Sequence, residues 1–191
     1  VEEKEKQMKY KIYADCHLGS PIEIKPDGLF DPSGNTILLG DIVDLANCEN
    51  KMVEYYNNLR HQFIRIHKDN YIDGNHERIY SFTNNFVIKN NIIFAHGDLE
   101  ANFEKWVKYR QKSHGAGWFK RKFIIPFIRE AEEIINRKPK EEFLLGAWNL
   151  AKLSKCTTYV CGHFHPKEKI DIFYRGVRII IVPRGMTELE L

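Results

Sequence analysis

The sequence predicts an α/β fold whose strand ends gather polar residues at one place, and three observations predict it. Short apolar runs rich in β-branched and aromatic residues recur along the chain. Each gives way to a loop of Gly, Asp, Asn and His. Between them lie stretches whose apolar residues follow helical spacing instead. Ligands in open α/β sheets bind just beyond the carboxyl ends of strands, so polar residues repeated there carry functional weight.

"YKIYADC" (10–16) is the first such strand, ending in the polar loop "HLGSP". "DPSGN" (31–35) is a turn cluster, and "TILLGDIVDL" (36–45) is a buried strand meeting a loop at Gly-Asp. Met52, Val53, Tyr56, Leu59 and Phe63 mark a helix within 49–66. "NYIDGNHE" (70–77) repeats the strand-then-loop form, as does "NIIFAHGD" (91–98). The preceding "FVIKNN" pairs with the latter as a hairpin turning at Asn90-Asn91. From Leu99 to Leu153 strand signals vanish and amphipathic patterns take over, broken near 113–117 and 137–139. This predicts an inserted helical cap, about 99–153, of two or three helices. "TTYVCGHFH" (157–165) is a fifth strand-then-loop unit, followed by a hairpin turning around Arg175-Gly176 and a last strand in "GMTELEL".

The 191 residues fit a single domain, 1–191, carrying that cap. At 43% hydrophobic residues, with 12 Phe, 9 Tyr and 3 Trp, the chain can bury a core and is not disordered. No apolar run reaches the roughly 18 residues of a membrane-spanning helix. The start, "VEEKEKQMKYKIY", lacks the apolar segment and cleavage site of a signal peptide, which predicts a cytoplasmic protein. Cys16, Cys48, Cys156 and Cys161 form no CxxC pair and no disulfide framework. Cys156 and Cys161 read as small strand residues in preference to zinc ligands. Between Lys105 and Lys140, eleven Lys or Arg face three Glu, a local +8 that leaves −5 for the remainder. Such a basic segment is either a solvated helical face or the partner of an anionic surface or phosphate-rich ligand.

The strand ends carry, in order, Asp15 and His17, Asp41 and Asp44, Asn75 and His76, His96, then His163 and His165. Imidazole nitrogens with carboxylate and amide oxygens are a ligand set for first-row divalent metals. Each loop alone has an ordinary explanation. An Asp after Gly caps helices, Gly-Asn makes turns, and a lone His after a strand is usually a hydrogen-bonded core residue. Five in series, each at the same end of an expected strand, do not.

This ordered set, D-x-H, G-D-x-x-D, G-N-H-[DE], H-G-D and G-H-x-H, resembles the calcineurin-like metallophosphoesterase superfamily from Asp15 to His165. The resemblance implies an αββα sandwich, two facing β-sheets flanked by helices, with two divalent metals at the strand ends. Asp15, His17 and His165 would hold one metal, Asn75, His96 and His163 the other, and Asp41 would bridge them. A bridging carboxylate offsets the repulsion of two dications about 3.5–4 Å apart. His76 would contact the phosphate and protonate the leaving group, with Asp44 orienting its ring. The donor set favours Mn²⁺, with Fe or Zn²⁺ as alternatives. The implied reaction is phosphoester hydrolysis by metal-activated hydroxide.

The helical insertion directly after the H-G-D strand, with "ADCHLGS" and "GDIVDL", is similar to bacterial UDP-2,3-diacylglucosamine hydrolases, which cleave a pyrophosphate bond. Three features depart from that branch. His76 stands where Arg is common, "ANCEN" where a Trp is expected, and "VPRGMTELEL" where a Gly-Asp/Ser-Trp ending is expected. The branch therefore informs architecture and not substrate. The leading expectation is a phosphodiesterase or pyrophosphatase acting on a phosphorylated small-molecule, nucleotide-linked or lipid-linked substrate. The alternative is a nucleic-acid phosphodiesterase, with Lys108, Arg110, Lys120, Arg121 and Lys122 on the phosphates and Trp106 or Trp118 stacking on bases. A third reading is a scaffold that lost catalysis, which predicts missing ligands, yet all seven expected positions are filled. The aromatic, basic cap either packs on the core or makes a peripheral membrane contact, and no obligate protein partner is expected.

Overall fold

The computed structural model describes residues 8–31, 33–77, 84–98 and 139–191. Two mixed sheets are formed. In the first the order is β3-β2-β1-β9, where β1 is Lys9–Ala14, β2 Thr36–Leu39, β3 Tyr71–Ile72 and β9 Gly185–Glu190. β1, β2 and β3 run parallel, while β9 pairs antiparallel with β1 from Lys9↔Glu190 to Ala14↔Gly185. The second sheet has the order β4-β5-β6-β8-β7, with β4 Phe86–Lys89, β5 Ile92–Ala95, β6 Thr158–Cys161, β7 Ile170–Tyr174 and β8 Val177–Ile181. There β5, β6 and β8 run parallel, and β4 and β7 close the edges as antiparallel hairpin arms.

Side-chain alternation decides how the layers stack. Tyr10, Ile12, Ala14, Ile37 and Leu39 of the first sheet share one buried cluster with Phe94, Val160 and Ile180 of the second. That shared cluster is the interior between the sheets. The opposite side chains, Tyr13, Leu38 and Tyr71, pack with Phe63 of helix α1 (Val53–His67) and with Tyr56 and Leu59 beside it. On the far side Ile93, Tyr159, Cys161, Ile179 and Ile181 meet Phe143, Ala147 and Ala151 of helix α2 (Glu141–Leu153). Both faces of the central strands β2, β5 and β6 are thus covered, which is why they read as nearly continuous apolar runs, while the edge strands β4, β7 and β9 alternate with exposed side chains.

Both hairpins turn where the sequence predicts. Lys89 pairs with Ile92 across Asn90-Asn91, and Tyr174 with Val177 across Arg175-Gly176, with all four turn residues at positive φ. Residues 141–153, the last part of the expected cap, form α2, which packs on the second sheet because Phe143, Ala147 and Ala151 at i, i+4 and i+8 form one apolar stripe. The rest of the expected cap, residues 99–138 with Lys108, Arg110, Lys120, Arg121 and Lys122, lies outside the described residues. All four cysteines are free and buried, Cys161 on β6 and Cys156 just before it. Among the described residues no helix is long and apolar enough to cross a membrane.

Candidate metal centre

Each of β1, β2, β3, β5 and β6 ends one to three residues before a polar pair, and the parallel order turns these ends the same way within each sheet. Contacts then join the two sheets across their shared edge. The His163 N–H donates to Asp15 Oδ2 at 2.8 Å, and His96 Nδ1 lies 3.1 Å from the Leu39 carbonyl. His96 Nε2 lies 3.2 Å from Asn75 Oδ1.

The donor atoms fall into two groups. In the first, His165 Nε2 is 3.1 Å from Asp15 Oδ1 and 3.5 Å from His17 Nε2. In the second, His96 Nε2 is 3.2 Å from Asn75 Oδ1, 3.3 Å from His163 Nδ1 and 3.3 Å from Asp41 Oδ2. His96 Nε2 is also 4.0 Å from Asp15 Oδ1, so the groups abut. Donors about 2.1 Å from one ion sit roughly 3.0–3.5 Å from each other, the spacing seen here. Asp15–His17–His165 and Asp15–Asp41–His96 could each hold a metal ion. His17, Asp44 and His76 form a third such triad. Its close contacts run through the Nδ1 atoms, as hydrogen bonds to Asp44, which leaves the Nε2 of His17 for the first group.

The surrounding hydrogen bonds fix which atom each ligand presents. Asp41 Oδ1 accepts the His76 N–H at 2.8 Å, leaving Oδ2 toward His96. The Leu39 carbonyl accepts a hydrogen bond from His96 Nδ1, so Nε2 is the nitrogen that could hold a metal. Asp44 serves two rings at once. Its Oδ1 is 2.6 Å from His76 Nδ1 and its Oδ2 is 3.2 Å from His17 Nδ1. Asn47 fills the remaining lone pairs, giving its N–H to Oδ1 at 2.9 Å and its amide to Oδ2 at 3.1 Å. Two glycines allow this approach. A Cβ on Gly74 would overlap Asp41 Oδ1, and one on Gly162 would stand 2.5 Å from Asp15 Oδ2.

Electrostatics follow from the burial of so many groups. Burial alone would raise Asp15, Asp41 and Asp44, but the facing histidines outweigh it and hold all three carboxyls below the usual range. Burial opposes protonation of His76, yet Asp44 and Asp41 lift it to about 9. His96 is lifted to about 10 against the same penalty, by Asp41 and then Asp15. His163 goes the other way, to about 3, through burial and the positive charge of His96. His17 is lowered by burial despite Asp44. In the metal-free protein, protons on His76 and His96 therefore offset part of the charge of the three carboxylates.

All nine sequence-predicted residues at the strand ends, Asp15, His17, Asp41, Asp44, Asn75, His76, His96, His163 and His165, are brought together. Three others were missed. Glu77 is fully buried and takes the N–H of Val43 at 2.9 Å, the N–H of Gly74 at 3.0 Å and the Tyr71 hydroxyl at 2.6 Å, tying the second and third loops together. Burial, with Asp73 and Asp41 nearby, pushes its carboxyl up to about 7. Its signal was the acid closing "GNHE". Asn47 lies in "ANCEN", read only as a departure, and Arg184 in "VPRG" holds the loop after β1. No family model matches the chain, and no curated protein matches it.

Proposed function

We propose that the chain is a metal-dependent phosphoester hydrolase of the calcineurin-like metallophosphoesterase type, its two sheets being that family's αββα sandwich. The observation that carries this reading is the meeting of two donor groups, Asp15–His17–His165 and Asn75–His96–His163–Asp41, beside the protonated His76. Mixed nitrogen and oxygen donors without thiolate suit Mn²⁺, with Fe or Zn²⁺ as alternatives. Asp15, His17 and His165 would hold one ion and Asn75, His96 and His163 the other, with Asp41 common to both. When bound, such ions polarise phosphoryl oxygens and make water acidic enough to ionise near neutral pH.

The chain's own residues supply the remainder. His76 binds Asp44 through Nδ1, so its Nε2 is the nitrogen left for substrate, and its side chain is 22% exposed where the groups around it are buried. The imidazolium proton on Nε2 passes to the leaving-group oxygen as the P–O bond breaks. Asp44 keeps the ring aimed and stabilises its charge. Cys16 is no nucleophile, because burial pushes its thiol far up. The substrate class is a phosphodiester or pyrophosphate, nucleotide-linked or lipid-linked.

The test is turnover of bis-p-nitrophenyl phosphate against p-nitrophenyl phosphate, after stripping with chelator and adding Mn²⁺. Mn²⁺-dependent preference for the diester is expected, and silence on both with no metal bound overturns the reading. Asp41→Ala should lose both metals and all turnover. His76→Ala should keep its metal while turnover falls by about 10²–10⁴.

A further inference from the structure

The C-terminal "VPRGMTELEL" departs from the branch it was compared with, and Arg184 stands at that departure. The β1–β9 ladder stops at Ala14↔Gly185, so Arg184 falls at the register position opposite Asp15. Its side chain turns back over that loop. Arg184 Nε donates to the Asp15 carbonyl at 3.1 Å, and a terminal N–H donates to the Ile22 carbonyl at 2.5 Å.

The segment it holds is strained. Asp15 and His17 both sit at φ 51, in the left-handed region that costs a non-glycine residue free energy. Other parts of this stretch are held by main chain. Asp15 N–H bonds Gly40 O at 3.0 Å, His17 N–H bonds Asp41 O at 2.8 Å, and Ile24 N–H bonds Cys16 O at 2.7 Å. The Asp15 carbonyl is met by the guanidinium, whose rigid fork spans two carbonyls seven residues apart in sequence. The second donor group rests on other segments, the loops after β2, β3, β5 and β6.

We propose that Arg184 is a positioning residue for the first metal position. It pins the loop from Asp15 to Ile22 in the conformation that aims Asp15 and His17 at His165. This rests on the two-metal reading above.

Calorimetric Mn²⁺ titration of the chelator-stripped full chain tests it, comparing wild type with Arg184→Met and Arg184→Lys. His165→Ala and His163→Ala serve as references for losing one position or the other. Arg184→Met should weaken one of two sites by about 10- to 100-fold, the range for second-layer partners of metal ligands. It should follow the His165→Ala pattern, spare the other site and leave the metal-free melting temperature near wild type. Arg184→Lys, which keeps the charge and loses the fork, should fall between, and it carries the test if the Met variant does not fold. Two unchanged sites in the variants overturn this inference alone. Equal loss at both sites together with a lower melting temperature marks an ordinary structural tie and also overturns it. A wild-type protein that binds no Mn²⁺ removes the two-metal reading and this inference with it.

Discussion

Asp44 carries more than the sequence assigns it. Expected to orient His76 alone, it also holds His17, a member of the first donor group, through its other oxygen. Asp44→Asn should therefore have two separable effects. Metal affinity should fall by about 10- to 100-fold, because the amide keeps one acceptor oxygen for two ring N–H groups and cannot orient both His17 and His76. The alkaline limb of the pH–rate profile should also move to lower pH. His76 stands at about 9 against burial chiefly because of Asp44, and removing that charge lowers the pH at which the proton leaves. A profile that keeps its alkaline limb would exclude His76 as the proton donor. His96 makes a second prediction at this scale. Its proton, retained to about pH 10 in the metal-free protein, must leave before Nε2 can bind a metal. Binding near pH 7.5 should release a proton, and affinity should rise with pH. Calorimetry in buffers of different ionisation enthalpy reads the proton directly, and a heat independent of buffer would contradict it.

Among the elements, the strand-end loops are unusual for their backbone. Ten described non-glycine residues have positive φ, and five of them are candidate ligands: Asp15, His17, Asp41, His163 and His165. The other five have ordinary reasons, Lys68 and Lys155 just after helices and Asn90, Asn91 and Arg175 in hairpin turns. The sequence made the strands and ligand types legible, because both lie in local pattern. Left-handed Asp and His were not legible, since they are imposed by contacts between distant loops, such as the His163 N–H on Asp15. For the same reason the surface that α2 covers was not legible: helical spacing shows an apolar stripe but not what it packs on. Gly74→Ala should abolish metal binding while the far-UV circular dichroism stays native, because its Cβ would overlap Asp41 Oδ1. Gly34→Ala, with nothing within 4 Å of the new atom, is the control and should bind as wild type. Beneath that loop, Arg60 and Asp73 form a fully buried pair at 2.6 Å that joins α1 to the end of β3. Arg60→Ala takes the guanidinium from a buried carboxylate and should cost about 3–5 kcal/mol in urea unfolding. Replacing both partners with apolar residues should cost less.

At the scale of the whole molecule, the centre is a seam where both sheets meet, so its protonation bears on global stability. The histidines pull in opposite directions. His76 and His96, raised to about 9 and about 10, add stability that is complete below the unfolded value near 6.5 and is lost as pH rises through those values. His163, lowered to about 3, and His17, also lowered, stay neutral where the unfolded chain is protonated, so stability falls as pH drops below about 6.5. The depressed Asp15, Asp41 and Asp44 add to that acid-side loss below about 4. The contribution of these groups to stability should therefore be greatest near pH 6.5 in the metal-free protein. Under the metal-binding proposal, divalent ions would change the alkaline side, because they would replace the protons of the centre and bind best when its histidines are neutral. Thermal melting from pH 5 to 9.5, with chelator and with Mn²⁺, should show an optimum that moves to higher pH when metal is present. An optimum at the same pH in both conditions would mean that the buried histidines are not where the metal binds.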